Sequence, residues 1–344
     1  MRTETGRHSI TRAPAAVLVI LALLTACDNV SWGGADIAVV PPPPRPSGMP
    51  SPGAVPGAER LPEGPILYDI TVSGETGTMV PVGEIAGDSL RPIRPPGDAP
   101  GYFETFIAEH LRQGAEFVLF HRGLRVGTLV VEAAGVDRSG CRPWPRATGV
   151  LEMSGAAAGT NAFLGLARLA APQVTRRVAD DLAPTRTMIV LAPIFADKVL
   201  RTRQLRLPSN WQRASAQVQP FPVSGARDAG FAATFLVGDT LGPGLDDAGH
   251  SVFMVAVPGT LGYDTVFVDV RDYAISGKAA PVVMDFLDWD NDDSMELLLR
   301  VFGTRDTWIE AVGRGENGVW RRIFRDRCEA VPQDSSTVVI DTIR

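Results

Sequence analysis

The sequence predicts an α+β protein that is mostly β, with antiparallel sheets arranged as a sandwich or a partial propeller-like assembly. A few helices are expected in the first half. From residue 231 onward, short apolar runs alternate with Gly, Asp and Pro turns, which is typical of antiparallel strands. Helical periodicity is confined to earlier segments. No repeat of fixed period occurs, and this disfavours a complete propeller.

The elements predicted before residue 206 mix strands and helices. They are a strand at 67–72, a turn at Gly74 and Gly77, a helix at 103–111 with Gly114 as C-cap, a hairpin at 116–131, and strands at 149–153 and 162–166. Helical spacing returns between residues 172 and 205, where Pro184 and Pro193 break or kink the pattern. The later strands are at 232–237, 252–257, 265–270, 282–286, 296–302, 308–312 and 319–324.

Length and composition narrow the class of protein. The chain has 344 residues, of which 45% are hydrophobic and 21% are charged, so it can bury a substantial core. Three cysteines are too few for a disulfide scaffold, and a net charge of −6 excludes a basic nucleic-acid footprint. We divide the folded part into a mixed α/β segment, 66–205, and a β-rich segment, 206–344. Whether these segments are one domain or two stays open.

The first 26 residues have the features of a secretory signal peptide. Three arginines precede an apolar run at 15–24, and small residues follow it. The run is shorter than the roughly 20 residues that a transmembrane helix needs. The residues Leu24-Thr25-Ala26-Cys27 resemble the lipobox of bacterial lipoproteins. That resemblance implies cleavage before Cys27 and acylation of Cys27 and of the new amino terminus. The alternatives are an ordinary signal peptide that contains Cys27, or a short core helix.

Residues 27–65 are interpreted as a tether. The stretch from Pro41 to Pro65 is rich in proline and glycine and cannot bury a core, whereas such sequences favour extended polyproline II. With an acylated Cys27, the chain would be held on the exported side of a membrane of the bacterial cell envelope. Whether this is the inner or the outer membrane stays open.

An acidic segment between two predicted strands is the most specific internal feature. Its side chains at alternate positions carry oxygen atoms, which Ca²⁺ prefers as ligands. The candidate ligands are the carboxylates of Asp288, Asp290, Asp292 and Glu296 and the carbonyl of Ser294. Neighbouring carboxylates repel each other when a loop is compact, so a bound cation would stabilise it. The alternative is a solvated acidic turn without metal.

The same segment resembles the calcium loop of FG-GAP repeats in integrin-like propellers, with the pattern D-x-D-G-D-G-x-x-[DE]-L. Asp288, Asp290, Asp292 and Glu296 occupy the ligand positions of that pattern. Asn291 and Asp293 stand where the family has glycine, and both residue types tolerate the left-handed conformation. The family repeats the loop several times, whereas this chain has it once. The resemblance therefore implies one calcium loop with a structural role and no complete fold.

Two cysteines remain after Cys27. In an exported protein, Cys141 and Cys328 are predicted to form a disulfide, with two separate buried thiols as the alternative. Three histidines remain after the signal segment, at positions 110, 121 and 250, and none stands in a recognised catalytic or metal-binding motif.

These observations favour a lipid-anchored envelope protein that is not an enzyme. Its expected partners are the bilayer, through Cys27, and an unidentified envelope protein or polysaccharide. The alternative is an exported hydrolase whose active-site residues are dispersed along the chain. A histidine beside Asp or Ser in an apolar cleft would favour the hydrolase, and an exposed apolar patch would favour the binding module. If the protein is a purely structural spacer, neither feature is expected.

Overall fold

The computed structural model describes residues 61–94, 101–139, 142–154, 157, 159–172, 182–224, 226, 228–242, 249–315 and 317–326, within one compact unit, Val55–Arg344. These residues form fifteen strands: β1 (Ile66–Ser73), β2 (Thr76–Ala86), β3 (Ser89–Arg91), β4 (Glu116–His121), β5 (Leu124–Asp137), β6 (Trp144–Met153), β7 (Ala162–Ala167), β8 (Ser215–Phe221), β9 (Gly230–Val237), β10 (His250–Gly259), β11 (Gly262–Asp272), β12 (Ala280–Leu287), β13 (Glu296–Phe302), β14 (Thr307–Arg314) and β15 (Trp320–Asp326). The described helices are α1 (Tyr102–His110), α2 (Arg186–Thr202), α3 (Trp211–Ala214) and α4 (Tyr273–Ser276), besides a 3₁₀ turn at Arg168–Ala170.

The first seven strands form an antiparallel sheet that closes on itself. Their order is β1-β7-β4-β5-β6-β2-β3, and β1 also pairs with β2, so six strands make a closed, barrel-like ring. Side chains alternate between the two faces of each strand. Tyr68 and Phe117 therefore meet inside the ring, with ring centroids 5.0 Å apart, and Phe106 of α1 joins their cluster. The neighbouring Leu67 and Val118 point outward into a second cluster.

The sheet β12–β15 is an antiparallel meander with apolar clusters on both faces. One face contributes Leu287 and Leu298 to the cluster that holds Leu67 and Val118 of the closed sheet. The other face packs against the sheet β8–β11 through buried side chains that include Phe286, Leu297, Leu299, Phe221 and Phe253. Segments on both sides of residue 205 thus share one core.

The sheet β8–β11 lies between β12–β15 and helix α2. Its second face buries Phe231, Phe235 and Met254 against the apolar side of α2. The layers therefore follow the order α2, β8–β11, β12–β15, closed sheet. Helix α2 begins after Thr185, whose hydroxyl accepts a hydrogen bond from the amide of Met188. No helix in the described ranges has the length and apolar character needed to cross a membrane.

The structure confirms a mostly β protein with antiparallel sheets. It differs from the predicted elements at β2, where Gly77 was assigned to a turn. Gly77 lies inside the strand. A Cβ at this position would stand 2.5 Å from Leu129 Cδ1, so the missing side chain makes room for the core. The turn itself is made at Gly74, with φ of 63°. Pro193 lies inside α2 and does not end it, while the predicted helical positions at 173–181 lie outside the described residues.

Candidate metal centre

The acidic loop connects β12 to β13, two antiparallel neighbours in which Leu287 faces Glu296 across the ladder. Trp289 holds one end of the loop, because its side chain is buried in the cluster between β12–β15 and the closed sheet. Ser294 and Glu296 are buried at the other end. The loop is therefore fixed at both ends, while residues 291–293 between them are exposed.

Hydrogen bonds from backbone amides curl the loop. The Asp288 carboxylate accepts from the amides of Asp292 and Asp293, each at 3.1 Å, and the Asp292 carboxylate accepts from the amide of Ser294 at 2.7 Å. Asn291 and Asp293 have φ of 61° and 66°. These are the two positions where the FG-GAP pattern has glycine, and both residues adopt the left-handed conformation that their side chains tolerate.

The curled backbone brings three of the predicted ligands together. One carboxylate oxygen from each of Asp288, Asp290 and Glu296 lies within 4.8 Å of the others. Asp292 is outside this group, and its carboxylate is engaged with the amide of Ser294. The Ser294 carbonyl as a ligand stays a prediction.

The three grouped carboxyl groups are held near one another at an electrostatic cost. Burial, with the charges of Asp290, Asp292 and Asp288, raises the pKa of Glu296 to about 10. Burial and the neighbouring Asp292 and Asp288 charges raise the pKa of Asp290 to about 6, and burial raises the pKa of Asp288. Without a cation, the loop therefore retains a proton on Glu296 at neutral pH.

Two other acids of the described chain with buried side chains are paired with cationic side chains. Glu310 lies 2.7 Å from Arg322 Nε and 3.3 Å from Arg325 Nε, and Lys278 Nζ lies 2.6 Å from Asp239 Oδ1. Glu296 is as buried as Glu310, with 1% and 2% of their surfaces exposed. Among the described residues no cationic side chain pairs with Glu296, which accepts the Trp289 amide at 3.2 Å.

Such a set of oxygen atoms suits a hard divalent cation. Binding would offset the unfavourable proximity of the three carboxyl groups by attraction to a shared ion, and would favour the ionised form of Glu296. The ligands come from a short stretch between two strands that pack on the core. The described arrangement is therefore suited to bracing the loop.

One of the three histidines has a buried carboxylate partner. His121 Nδ1 lies 3.3 Å from Asp285 Oδ2, and Asp285 Oδ1 accepts the Arg122 amide at 2.6 Å. Asp285 follows a β-bulge in β12 and is 4% exposed. Burial raises the pKa of Asp285, and the proximity of His121 opposes this shift. Asp285 is not among the predicted site residues, although a single carboxylate inside the apolar run at 282–287 is a usable signal.

The other histidines have different surroundings. His110 lines a cleft of about 380 Å³ at the rim of the closed sheet, together with Tyr68, Glu109 and Glu116, and burial lowers its pKa. Burial also lowers the pKa of His250, at the start of β10. Within the described ranges, no hydroxyl or thiol nucleophile is hydrogen-bonded to any of the three.

The remaining predicted sites, Cys27, Cys141 and Cys328, lie outside the described residues. Comparison with protein-family models, curated proteins and solved structures finds no match to this chain. The fold and the loop therefore define a mostly β protein with one acidic candidate metal centre. Its function has to be argued from these features alone.

Proposed function

We propose that this chain is a lipid-anchored envelope protein that works as a binding or structural module and is stabilised by one Ca²⁺ ion. The observation that carries the calcium site is Glu296, a buried carboxylate whose charged neighbours Asp288 and Asp290 are both acidic. Glu310 and Asp239 have cationic partners within the chain, whereas the cation for Glu296 is expected to come from solution.

The position of the loop supports a structural role for the ion. Trp289 follows the first ligand and packs between the sheet β12–β15 and the closed sheet. Glu296 begins β13, in the middle of the layered core. An ion held by Asp288, Asp290 and Glu296 would fix both ends of the loop and hence the position of Trp289.

The cellular location of this module is inferred from the predicted lipid anchor. The proposal depends on the lipobox-like residues 24–27, on the Pro-rich stretch that follows, and on acyl chains that bind a bilayer durably. An exposed apolar surface on α2, where Ile189, Val190 and Ile194 are each more than half exposed, favours a module that contacts a partner.

The direct test is calcium binding, measured by titration calorimetry on the chain from residue 28 onward. We expect one site with a dissociation constant of about 10⁻⁴–10⁻³ M, as for extracellular modules. Asp290→Asn should abolish binding, whereas Asp293→Asn should retain it, because Asp293 is exposed and lies outside the grouped carboxylates. The absence of a calcium-dependent heat, or equal effects of both substitutions, would contradict the site.

The His121–Asp285 pair favours one second candidate, the exported hydrolase. A carboxylate that orients an imidazole is half of the arrangement used in nucleophilic hydrolysis. If this candidate is correct, a panel of chromogenic esters and glycosides should show turnover that His121→Gln removes and His250→Gln leaves. Absence of turnover in the unsubstituted protein would reject it.

A further inference from the structure

Helix α2 is an outer layer of the described residues, and two of its sides have opposite characters. Met188, Ala192, Ala196 and Leu200 follow one another at intervals of four and are buried against the sheet β8–β11. Residues four apart lie on the same side of a helix. This row accounts for how α2 is held on the protein.

A second row of the helix faces solvent and has a distinct order of side chains. It consists of Arg186, Val190, Ile194 and Lys198, again at intervals of four. Val190 and Ile194 are 52% and 55% exposed, and the adjacent Ile189 is 54% exposed. The outward side of α2 therefore presents aliphatic side chains with a cation before and after them.

The charge of this surface differs from that of the whole protein. The chain has a net charge of −6, whereas α2 carries Arg186, Lys198 and Arg201 against one acid, Asp197. Arg201 is bound to Asp197 at 2.6 Å. Arg186 and Lys198 form no ion pair with another residue in the described ranges, so both are available to an anion.

A cleft beside the helix extends the same chemistry. It has a volume of about 500 Å³ and lies between α2 and β11, where Phe195, Val199 and Val268 supply apolar surface. Lys198 and Arg203 supply two positive charges to this cleft, against one acid, Asp264. Apolar contacts next to cations match a surface that is itself apolar and anionic. Pairing of two α2 surfaces from two copies of the chain would instead place like charges opposite each other.

We propose that the outward row of α2 rests on an anionic phospholipid surface. Val190 and Ile194 would enter the boundary between headgroups and acyl chains, while Arg186 and Lys198 would reach lipid phosphates. This inference rests on the envelope location in the proposed function and deepens it. It assigns the bilayer a contact with the folded unit that is separate from the acyl anchor.

The length of the preceding chain permits this orientation. Leu61 packs on the closed sheet, at the opposite end of the layers from α2. The 33 residues numbered 28–60 can span at most roughly 110 Å. Stacked sheets are separated by about 10 Å, so the layers between Leu61 and α2 are thinner than the reach of this segment. The anchor point and α2 can therefore meet the same membrane surface.

Vesicle flotation of the unlipidated chain, residues 28–344, tests the contact independently of the anchor. We expect binding to vesicles of phosphatidylcholine with phosphatidylglycerol, weaker binding to phosphatidylcholine alone, and loss of binding at high salt. Ile194→Asp should lower the partition coefficient by about tenfold or more. Lys198→Gln should lower it by about fivefold.

Ile275→Asp is the matched control, because Ile275 is 85% exposed and lies on a different helix, α4. Thermal melting should be alike for all these variants, since each replaced side chain is exposed. Equal effects of Ile194→Asp and Ile275→Asp, or no binding to anionic vesicles, would overturn the proposal. A dimer that Ile194→Asp dissociates, without vesicle binding, would assign the surface to a second copy and would also overturn it.

These outcomes are distinct from failure of the proposed function. If the native protein with Cys27 replaced by alanine stays on membranes after an alkaline wash, which removes electrostatic contacts such as that of α2, the acyl anchor is wrong, but the unlipidated chain still tests α2. Conversely, an unlipidated chain that ignores vesicles removes the α2 contact and leaves the anchor and the calcium site unaffected.

Discussion

Replacing Glu296 by glutamine should stabilise the calcium-free protein at neutral pH, although the substitution removes a proposed metal ligand. The folded pKa of Glu296 is about 10, against an ordinary value of 4.5. The folded protein therefore keeps a proton that the unfolded chain releases. The protonated Glu296 contributes its full share to the free energy of unfolding below pH 4.5, and this share is lost as the pH rises toward 10. Glutamine has nearly the same shape and does not titrate.

The magnitude follows from the two pKa values. Each pKa unit corresponds to about 1.4 kcal/mol, so a rise from pH 4.5 to 7 removes about 3 kcal/mol of stability from the calcium-free protein. Near pH 4.5 both forms should be similar, because both side chains are then neutral in the folded state. At pH 7 the variant should be more stable by about 3 kcal/mol, which corresponds to roughly 5 °C in Tm for a domain of this size.

The assay is thermal unfolding in chelator across pH 4.5–9, repeated in millimolar Ca²⁺. With a dissociation constant near 10⁻⁴ M, millimolar Ca²⁺ should add about 1.4 kcal/mol to the unsubstituted protein and nothing to Glu296→Gln. The reasoning is refuted if Glu296→Gln lowers Tm in chelator at pH 7, or if the two proteins lose stability in parallel as the pH rises.

Glu310→Gln is the matched control for this series. Glu310 is also buried, one strand away, but it is paired with Arg322 and Arg325. Its substitution leaves two guanidinium groups without their partner, so it should lower Tm with and without Ca²⁺. A gain in stability from Glu310→Gln would mean that the effect at Glu296 does not depend on the lack of a cationic side chain beside it.

Three further predictions concern the anchor, the cysteines and the closed sheet. Cys27→Ala should release the protein from membranes, and retention after an alkaline wash would contradict the anchor. Peptide mapping without reductant should recover Cys141 linked to Cys328, whereas alkylation of both thiols would exclude the bridge. Gly149→Ala should lower the free energy of unfolding by about 1–3 kcal/mol, because a Cβ there would overlap a backbone carbonyl of the adjacent strand. Gly135→Ala, which has open space around it, should be neutral in the same denaturant titration.

The predicted strands were most accurate where apolar side chains and turn residues alternate clearly. All seven strands predicted after residue 231 are present, from β9 to β15. β2 and β8 were missed because Pro81 and Pro220 interrupt their patterns and both strands carry polar or glycine positions. Their pairing is decided by neighbours distant in the sequence, such as β6 for β2, which local patterns cannot show.

The sequence predicted the candidate metal centre only as far as the spacing of neighbouring residues determines it. The spacing of Asp288, Asp290 and Glu296 indicated convergence, and the structure brings these three together. The engagement of Asp292 with an amide depends on the detailed curl of the loop, and the sequence did not indicate it. The His121–Asp285 pair was likewise hidden, because 163 positions separate Arg122 from the carboxylate that its amide contacts.

By itself, the sequence determined the β-rich class and the position of the acidic loop, because both depend on interactions between residues close in the chain. It also motivates the anchor prediction, which lies outside the described residues. Only the tertiary structure decided that six strands close into a ring, that Glu296 is buried without a cationic partner, and that α2 presents aliphatic side chains between cations to solvent. Those features depend on which distant segments pack together, since burial and charge compensation are properties of the assembled layers.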